Sequence, residues 1–158
     1  MFNKNFCHGF AGGLDPTFGS GRLDDTFGEN GKVLTDFYVY LSDPVCTKYE
    51  HVDSVLAISI QPDGKIVAAG ETLSGGTCYT EAIALARYHT DGSLDDSFGV
   101  EGRIVTEIDT RFRRATAYDV VIQPDEKIVA VGGSWTNILG KPPTEFFISR
   151  YHPDGRIV

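Results

Sequence analysis

Residues 54–70 read SVLAISIQPDGKIVAAG, and residues 117–132 read AYDVVIQPDEKIVAVG. Their shared Gln-Pro-Asp cores, at 61–63 and 123–125, lie 62 positions apart, which indicates an internal repeat. Each copy places runs of Val, Ile and Ala on both sides of a Pro-Asp turn. Two short apolar runs separated by turn residues predict a β-hairpin in each copy.

Further phrases recur in the same order. IALARYHTDG at 83–92 returns as FFISRYHPDG at 146–155, and LDDTFG with GKVLTD at 23–36 returns as LDDSFG with GRIVTE at 94–107; LDPTFG stands at 14–19. Each unit therefore holds four strand-like runs, and no window shows a helical period. The predicted strands are A at 54–61 and 116–123, B at 65–71 and 127–133, C at 82–89 and 145–152, and D at 31–37 and 102–108.

The turn between strands A and B has a chemical explanation. Pro62 sets φ for the second position of a type I turn, Asp63 suits the third, and Gly64 can adopt the left-handed conformation that rejoins the strands. Glu126 replaces that glycine in the second copy, where keeping the geometry costs about 1 kcal/mol or more. We therefore expect a distorted turn there, or a repeat under weaker constraint.

The strands are apolar on both faces, as in Ile66-Val67-Ala68-Ala69. A four-stranded unit of this kind cannot bury both faces alone, whereas radial stacking of such units does so. The fold class predicted is all-β, a β-propeller with about two four-stranded antiparallel blades. The propeller domain covers 14–158, after an N-terminal tail at 1–13.

Two blades cannot close a ring, and strand C at 145–152 would present an open edge. We expect strand 31–37 of one chain to complete the last blade of the next, in a head-to-tail homo-oligomer. A trimer would give six blades and a tetramer eight; the trimer is favoured. The alternative is that the chain is part of a longer propeller.

The phrases SIQPDGKIVAAG, IALARYHTDGSLDDSFG and GKVLTDF resemble the delta-sixty repeat family, a predicted β-propeller repeat of bacterial proteins. The resemblance covers roughly 14–158 and departs at Glu126 and in the long segment 38–53. It implies the propeller fold and brings no catalytic residues. Family members often belong to exported or surface proteins, whereas the start of this chain lacks a signal peptide and indicates the cytoplasm; the compartment therefore stays open.

Composition excludes several classes of function. The net charge of −8 over 158 residues, with no strong basic stripe, argues against nucleic acid as a partner. No apolar run is long enough for membrane insertion. The three cysteines form no CxxC motif, and no nucleophile elbow, P-loop or HExxH motif occurs, so no catalytic residue is predicted.

No cofactor or metal is predicted, although two clusters offer suitable ligands. Asp91, Ser93, Asp95 and Asp96 could form a calcium loop, but we favour a structural turn because the acidic spacing of an EF-hand is missing. His89 and His152 occupy equivalent positions in the repeat, which favours a structural role. Glu50, His51 and Asp53 are a weaker acid–base or metal candidate, because near-adjacent residues seldom converge.

Function is expected on the propeller face that carries the B–C and D–A loops, because these segments are irregular whereas the turns on the other face are stereotyped. Its candidate ligand-binding residues are Trp135, Tyr79, Tyr49, Tyr38, Asn137 and Arg113. Aromatic rings could stack on a glycan or anchor a protein ligand; the alternative is that they fold their own loops onto the blades. Cys46 and Cys78 lie on the same face and could form a disulfide or remain thiols.

The function predicted is a non-enzymatic binding or interaction module. One alternative is a hydrolase or lyase that uses acidic residues at the central channel. Another is a purely structural propeller fragment.

Overall fold

The computed structural model describes residues 22–37, 53–73, 81–108, 114–135 and 145–158. Within these ranges the chain forms seven β-strands and no helix, and therefore no helix that could cross a membrane. The strands are β1 (Ser54–Ile60), β2 (Ile66–Leu73), β3 (Glu81–Tyr88), β4 (Arg103–Thr106), β5 (Arg114–Ile122), β6 (Ile128–Trp135) and β7 (Glu145–Tyr151). The all-β prediction is confirmed.

The strands form two consecutive antiparallel meanders. Strands β1 to β4 pair in sequence order and form blade 1, and β5 to β7 do the same and form blade 2. A single parallel bridge between Glu81 and Arg114 links the two. The first strand of each blade carries the same irregularity in register, at Leu56 in β1 and at Tyr118 in β5. The arrangement is consistent with consecutive propeller blades.

One predicted strand is wrong. Strands A, B and C agree with the prediction to within two residues at each end, and β4 falls inside the predicted 102–108. Residues 31–37 are not a strand: there Lys32 makes only isolated bridges, to Gly28 and Glu29. The reason is the partner, because β4 exists by pairing with β3, and no described strand lies in the equivalent place beside 31–37.

The two A–B turns have the same geometry. Gly64 has φ +85° and Glu126 has φ +63°. In both turns the Gln amide donates to the Lys carbonyl at 2.8 Å, between residues 61 and 65 and between residues 123 and 127. The expected distortion is absent, so Glu126 is held in the left-handed region, where side chains other than glycine are disfavoured.

The main core lies between the blades. We call the face of a blade that looks toward the next blade along the chain its back face, and the opposite face its front face. The back face of blade 1 and the front face of blade 2 form one buried cluster, in which Ile83 and Leu85 pack with Val120 and Ile128. The faces that the two blades turn toward each other are thus the dry interior of the molecule.

The Leu-Asp-Asp corner at 94–99 ties blade 1 to blade 2. The buried Asp95 carboxylate accepts hydrogen bonds from Arg87 Nε at 2.7 Å and from Ser97, and it pairs with Lys65 at 3.1 Å. Arg87 also donates to the Pro153 carbonyl of blade 2. These contacts fit the structural interpretation of the corner; calcium binding stays a prediction.

The charge of Asp95 is maintained by this network. Burial raises the pKa of the Asp95 carboxyl, but hydrogen bonds from Ser97 and Lys65 and the charge of Arg87 outweigh burial. Its pKa therefore lies well below its ordinary value, and the ionised form stabilises the corner at neutral pH.

Residues 22–37 pack on the front face of blade 1 in the same way as the 94–99 corner and β4 of blade 1 pack on blade 2. Gly28 N donates to the Asp91 carbonyl at 2.7 Å, and the equivalent Gly99 N donates to Asp154 at 3.0 Å. Thr35 Oγ1 bonds the Tyr88 hydroxyl at 2.7 Å, and the equivalent Thr106 Oγ1 accepts from Tyr151 at 3.0 Å. Segment 22–37 therefore occupies the place of the outer rim of a preceding blade.

Candidate functional site

Of the residues predicted to bind ligand, Trp135 lies within the described part of the chain, at the end of β6. Outside the described residues lie the other five, Tyr38, Tyr49, Tyr79, Arg113 and Asn137, and the cysteines of the predicted disulfide, Cys46 and Cys78. The site is therefore built from Trp135 outward.

Trp135 packs against an aromatic side chain that the sequence did not single out. The rings of Tyr118 and Trp135 are nearly perpendicular, at 85°, with centroids 6.0 Å apart. Gly133 lies beneath them: a Cβ atom at that position would stand 3.3 Å from Tyr118 Cε2 and 3.5 Å from Trp135 Cη2. Glycine thus leaves the room that lets two aromatic rings meet edge to face, a preferred geometry.

Charged side chains from blade 1 meet the start of β5 next to this pair. Arg114 Nε donates to Glu81 Oε2 at 2.6 Å, and Thr116 Oγ1 donates to a carboxylate oxygen of Glu71. Glu81 begins β3 and Glu71 lies near the end of β2, so the site spans the junction of the blades at the end where the B–C and D–A loops attach. We call these residues the junction site: Glu71, Glu81, Arg114, Thr116, Tyr118, Gly133 and Trp135.

The electrostatics keep Arg114 and Tyr118 in their ordinary charge states at neutral pH. The hydrogen bond with Glu81 is the main cause that raises the pKa of Arg114. Partial burial, followed by the negative charge of Glu71, raises the pKa of the Tyr118 hydroxyl. Tyr118 therefore stays a neutral hydrogen-bonding group beside a fixed carboxylate and a fixed guanidinium.

The junction site consists largely of positions where the two repeats differ. Glu71 of blade 1 matches Gly133 of blade 2, and Leu56 matches Tyr118. The glycine creates the space and the tyrosine fills it, so the aromatic pair belongs to blade 2. Comparing the repeats position by position is the signal that could have found Tyr118 and Glu71, since residues that maintain the fold should recur.

The weaker acid–base candidate was Glu50, His51 and Asp53, and its described residue, Asp53, takes part in hydrogen bonds of the fold. Glu50 and His51 lie outside the described residues, whereas Asp53 accepts hydrogen bonds from Thr72 Oγ1 at 2.6 Å and from the Phe37 amide at 3.1 Å. Across the described ranges no three His, Cys, Asp or Glu side chains are grouped so that they could hold a metal ion.

Chemically, the junction site offers a half-exposed phenol ring, an indole edge, two carboxylates and a guanidinium. Such a surface can hold an apolar ring face by stacking while neighbouring polar groups bond its hydroxyls. The Thr116 hydroxyl that bonds Glu71 is buried, and the exposed part of the site is suited to recognition.

Two segments of the chain, residues 61–98 and 123–157, match the family model described as a domain of unknown function (DUF5122) beta-propeller. Among curated proteins none matches the chain. Each matched segment starts at an A–B turn and runs through strands B and C, so one match falls in each blade. The delta-sixty name is not part of that description and stays a prediction. The match supports the assignment of both segments to a β-propeller repeat family.

Proposed function

We propose that the chain is a non-enzymatic propeller binding module of the delta-sixty type, and that its junction site binds a carbohydrate. The observation that carries the proposal is the perpendicular pair of Tyr118 and Trp135 above Gly133, at the junction of the blades. Half of the Tyr118 side chain is open to solvent.

The polar groups around the pair suit a sugar. A pyranose has an apolar face of C–H groups and a rim of hydroxyls, so it requires an aromatic surface next to hydrogen-bond donors and acceptors. Tyr118 supplies the surface, and Glu71 and Arg114 supply an acceptor and a donor. Because these charges pair with neighbours, they are held in place before a ligand arrives, which lowers the entropic cost of binding.

The site contains its own reporter, because Trp135 is the only tryptophan of the chain. Neutral oligosaccharides that bind on a glycan array would be titrated into the protein while tryptophan fluorescence is followed. We expect a saturable change in emission. The Tyr118→Ala variant should weaken binding at least tenfold, because it removes the stacking surface.

The matched control is Leu56→Ala, which truncates the equivalent position of blade 1 and leaves the junction site intact. It should bind like the natural chain. Equal binding by folded Tyr118→Ala, or no oligosaccharide retained on the array, would contradict the carbohydrate proposal. A protein ligand captured through the same residues would be a different function and would likewise overturn it.

A further inference from the structure

The back face of blade 2 has no neighbour within the described structure. Phe146 is 83% exposed and Ile148 is 65% exposed. Their equivalents in blade 1, Ile83 and Leu85, are fully buried against blade 2. The same strand positions are therefore apolar in both blades, and only the covering layer differs.

The front face of blade 1 is exposed at positions where the front face of blade 2 is buried. Val55 is 62% exposed and Ile58 is 64% exposed, whereas their equivalents in blade 2, Ala117 and Val120, are buried against blade 1. Within the chain, the back face of blade 1 already packs on the front face of blade 2. The back face of blade 2 has the same sequence pattern as the first of these faces, and the front face of blade 1 has the same pattern as the second. The exposed back face of blade 2 and the exposed front face of blade 1 therefore have the pattern of two faces that pack together within the chain. Two back faces, or two front faces, do not have that pattern.

Strand edges complete the match. The outer edge of β7 makes only the isolated bridge between Tyr151 and Ile157 within the described residues. Residues 31–37 repeat the sequence of β4, already lie on the front face of blade 1, and lack a partner strand there. Within the described residues, β7 thus lacks a fourth strand of the kind that β4 adds to β3, and residues 31–37 have the sequence pattern of such a strand.

The register can be read from blade 1, where Ile83 pairs with Thr106 and Leu85 pairs with Ile104. Matched through the repeat, Phe146 would pair with Thr35 of a second copy, and Ile148 would pair with its Val33. Both pairs then point toward the front face of blade 1, where Thr35 already bonds Tyr88.

The charges agree with this register. Asp24 matches Asp95, and Arg150 matches Arg87, which forms the buried ion pair of blade 1. Arg150 is exposed and makes no ion pair within the described part of the chain, and the Asp24 side chain bonds only Thr26 there. Across the contact these two side chains would reproduce the Arg87–Asp95 pair.

We propose that the back face and outer edge of blade 2 bind a second copy of this chain, whose residues 31–37 add the fourth strand and whose Asp24 pairs with Arg150. The contact is head to tail, and repetition closes a ring when the rotation between copies fits: three copies give six blades and four give eight. The proposal rests on residues other than the aromatic pair, although Gly133 of the junction site pairs with Phe146 and so lies on the same face of blade 2.

Mass in solution tests the contact first. Light scattering should give three or four times the chain mass of 17.3 kDa. Arg150→Glu should place two carboxylates together and shift the protein to single copies, with at least a tenfold loss of affinity. Arg156→Glu is the matched control, because Arg156 is exposed and pairs with Asp154 in its own turn. A natural chain that stays at 17.3 kDa at high concentration overturns the proposal, as does Arg150→Glu with an unchanged mass.

Cross-linking tests the register. Directly opposed Cα atoms in an antiparallel pair lie about 4.5–5.5 Å apart, within the range that a disulfide spans. The double variant Thr35→Cys with Phe146→Cys should form a disulfide between copies under mild oxidation. Thr35→Cys with Ile148→Cys is displaced by two residues and should not. Equal cross-linking by both pairs, or by neither, contradicts the register; each single variant controls for the natural cysteines.

Discussion

Leu85 of blade 1 and Ile148 of blade 2 stand at the same position of the same strand, yet Leu85 is fully buried and Ile148 lies open. The two positions differ in the layer that covers them: blade 2 packs over Leu85, and no described residue covers Ile148. The comparison shows that the repeat encodes a face whose burial depends on the next unit. Stability in this architecture is thus a property of neighbouring pairs of blades.

The largest difference between equivalent positions should come from the Leu-Asp-Asp corner at 94–99 and the equivalent sequence at 23–28. Asp95→Asn leaves the buried Arg87 without its carboxylate, and loss of one partner of a buried ion pair costs about 3–5 kcal/mol. Asp24→Asn changes an exposed carboxylate and should have no measurable effect in a monomeric Arg150→Glu background. Urea unfolding of both variants in that background measures the contrast. Equal losses in the free energy of unfolding would show that the buried pair with Arg87 does not make Asp95 more important than Asp24.

The same corner predicts how stability depends on pH. Because the pKa of Asp95 is lowered by folding, its contribution is present above its unfolded pKa, near 3.9, and is lost as the pH falls toward the folded value. The natural chain and Asp95→Asn should therefore differ by a constant free energy of unfolding between about pH 5 and 8. That difference should shrink below about pH 4. A gap that grows on acidification would reverse the sign that we assign.

The next effect compares the two faces directly. Leu85→Ala removes a fully buried side chain between blades and should cost about 2–5 kcal/mol. Ile148→Ala in the Arg150→Glu background should change the free energy of unfolding by less than about 0.5 kcal/mol, as is usual for exposed positions. Thermal and urea unfolding would report both values. A large cost at Ile148 in that background would mean that residues of the same chain cover it.

The smallest effect separates the two hairpin turns. Glu126→Gly should stabilise the chain by about 1 kcal/mol, because glycine adopts the left-handed conformation without a steric penalty. Gly64→Ala should destabilise by a similar amount or more: its φ is +85° and its new Cβ would lie 3.0 Å from Thr90 Cγ2. Opposite signs in chemical denaturation are the expected result. A destabilised Glu126→Gly would show that the Glu126 side chain has a role that outweighs its strain.

Sequence reasoning was most accurate where the chain repeats. Strands A, B and C could be located to within two residues because two copies show the same alternation and the same turn residues. Residues 31–37 were predicted as a strand and do not form one, because a strand requires a partner and no described strand lies beside them. The sequence does not predict that Arg87 and Asp95 form a pair, since their contact depends on how the 94–99 corner folds back.

The junction site was predictable only in part. Trp135 stood out as a single tryptophan at a strand end, whereas Tyr118 and Glu71 lie inside strands, where sequence patterns predict structural roles. Their importance comes from a register irregularity and a glycine on neighbouring strands, a three-dimensional relation.

Amide hydrogen exchange on the natural chain tests the central claim most directly, since it compares the outer edges of β3 and β7 in one sample. If a second copy supplies the missing strand, the β7 amides that point away from β6 will be protected to a similar degree as their equivalents in β3, and Arg150→Glu will expose them selectively. Rapid exchange at that edge of β7 in the natural chain, with β3 protected, would contradict the claim that each blade is completed by its neighbour.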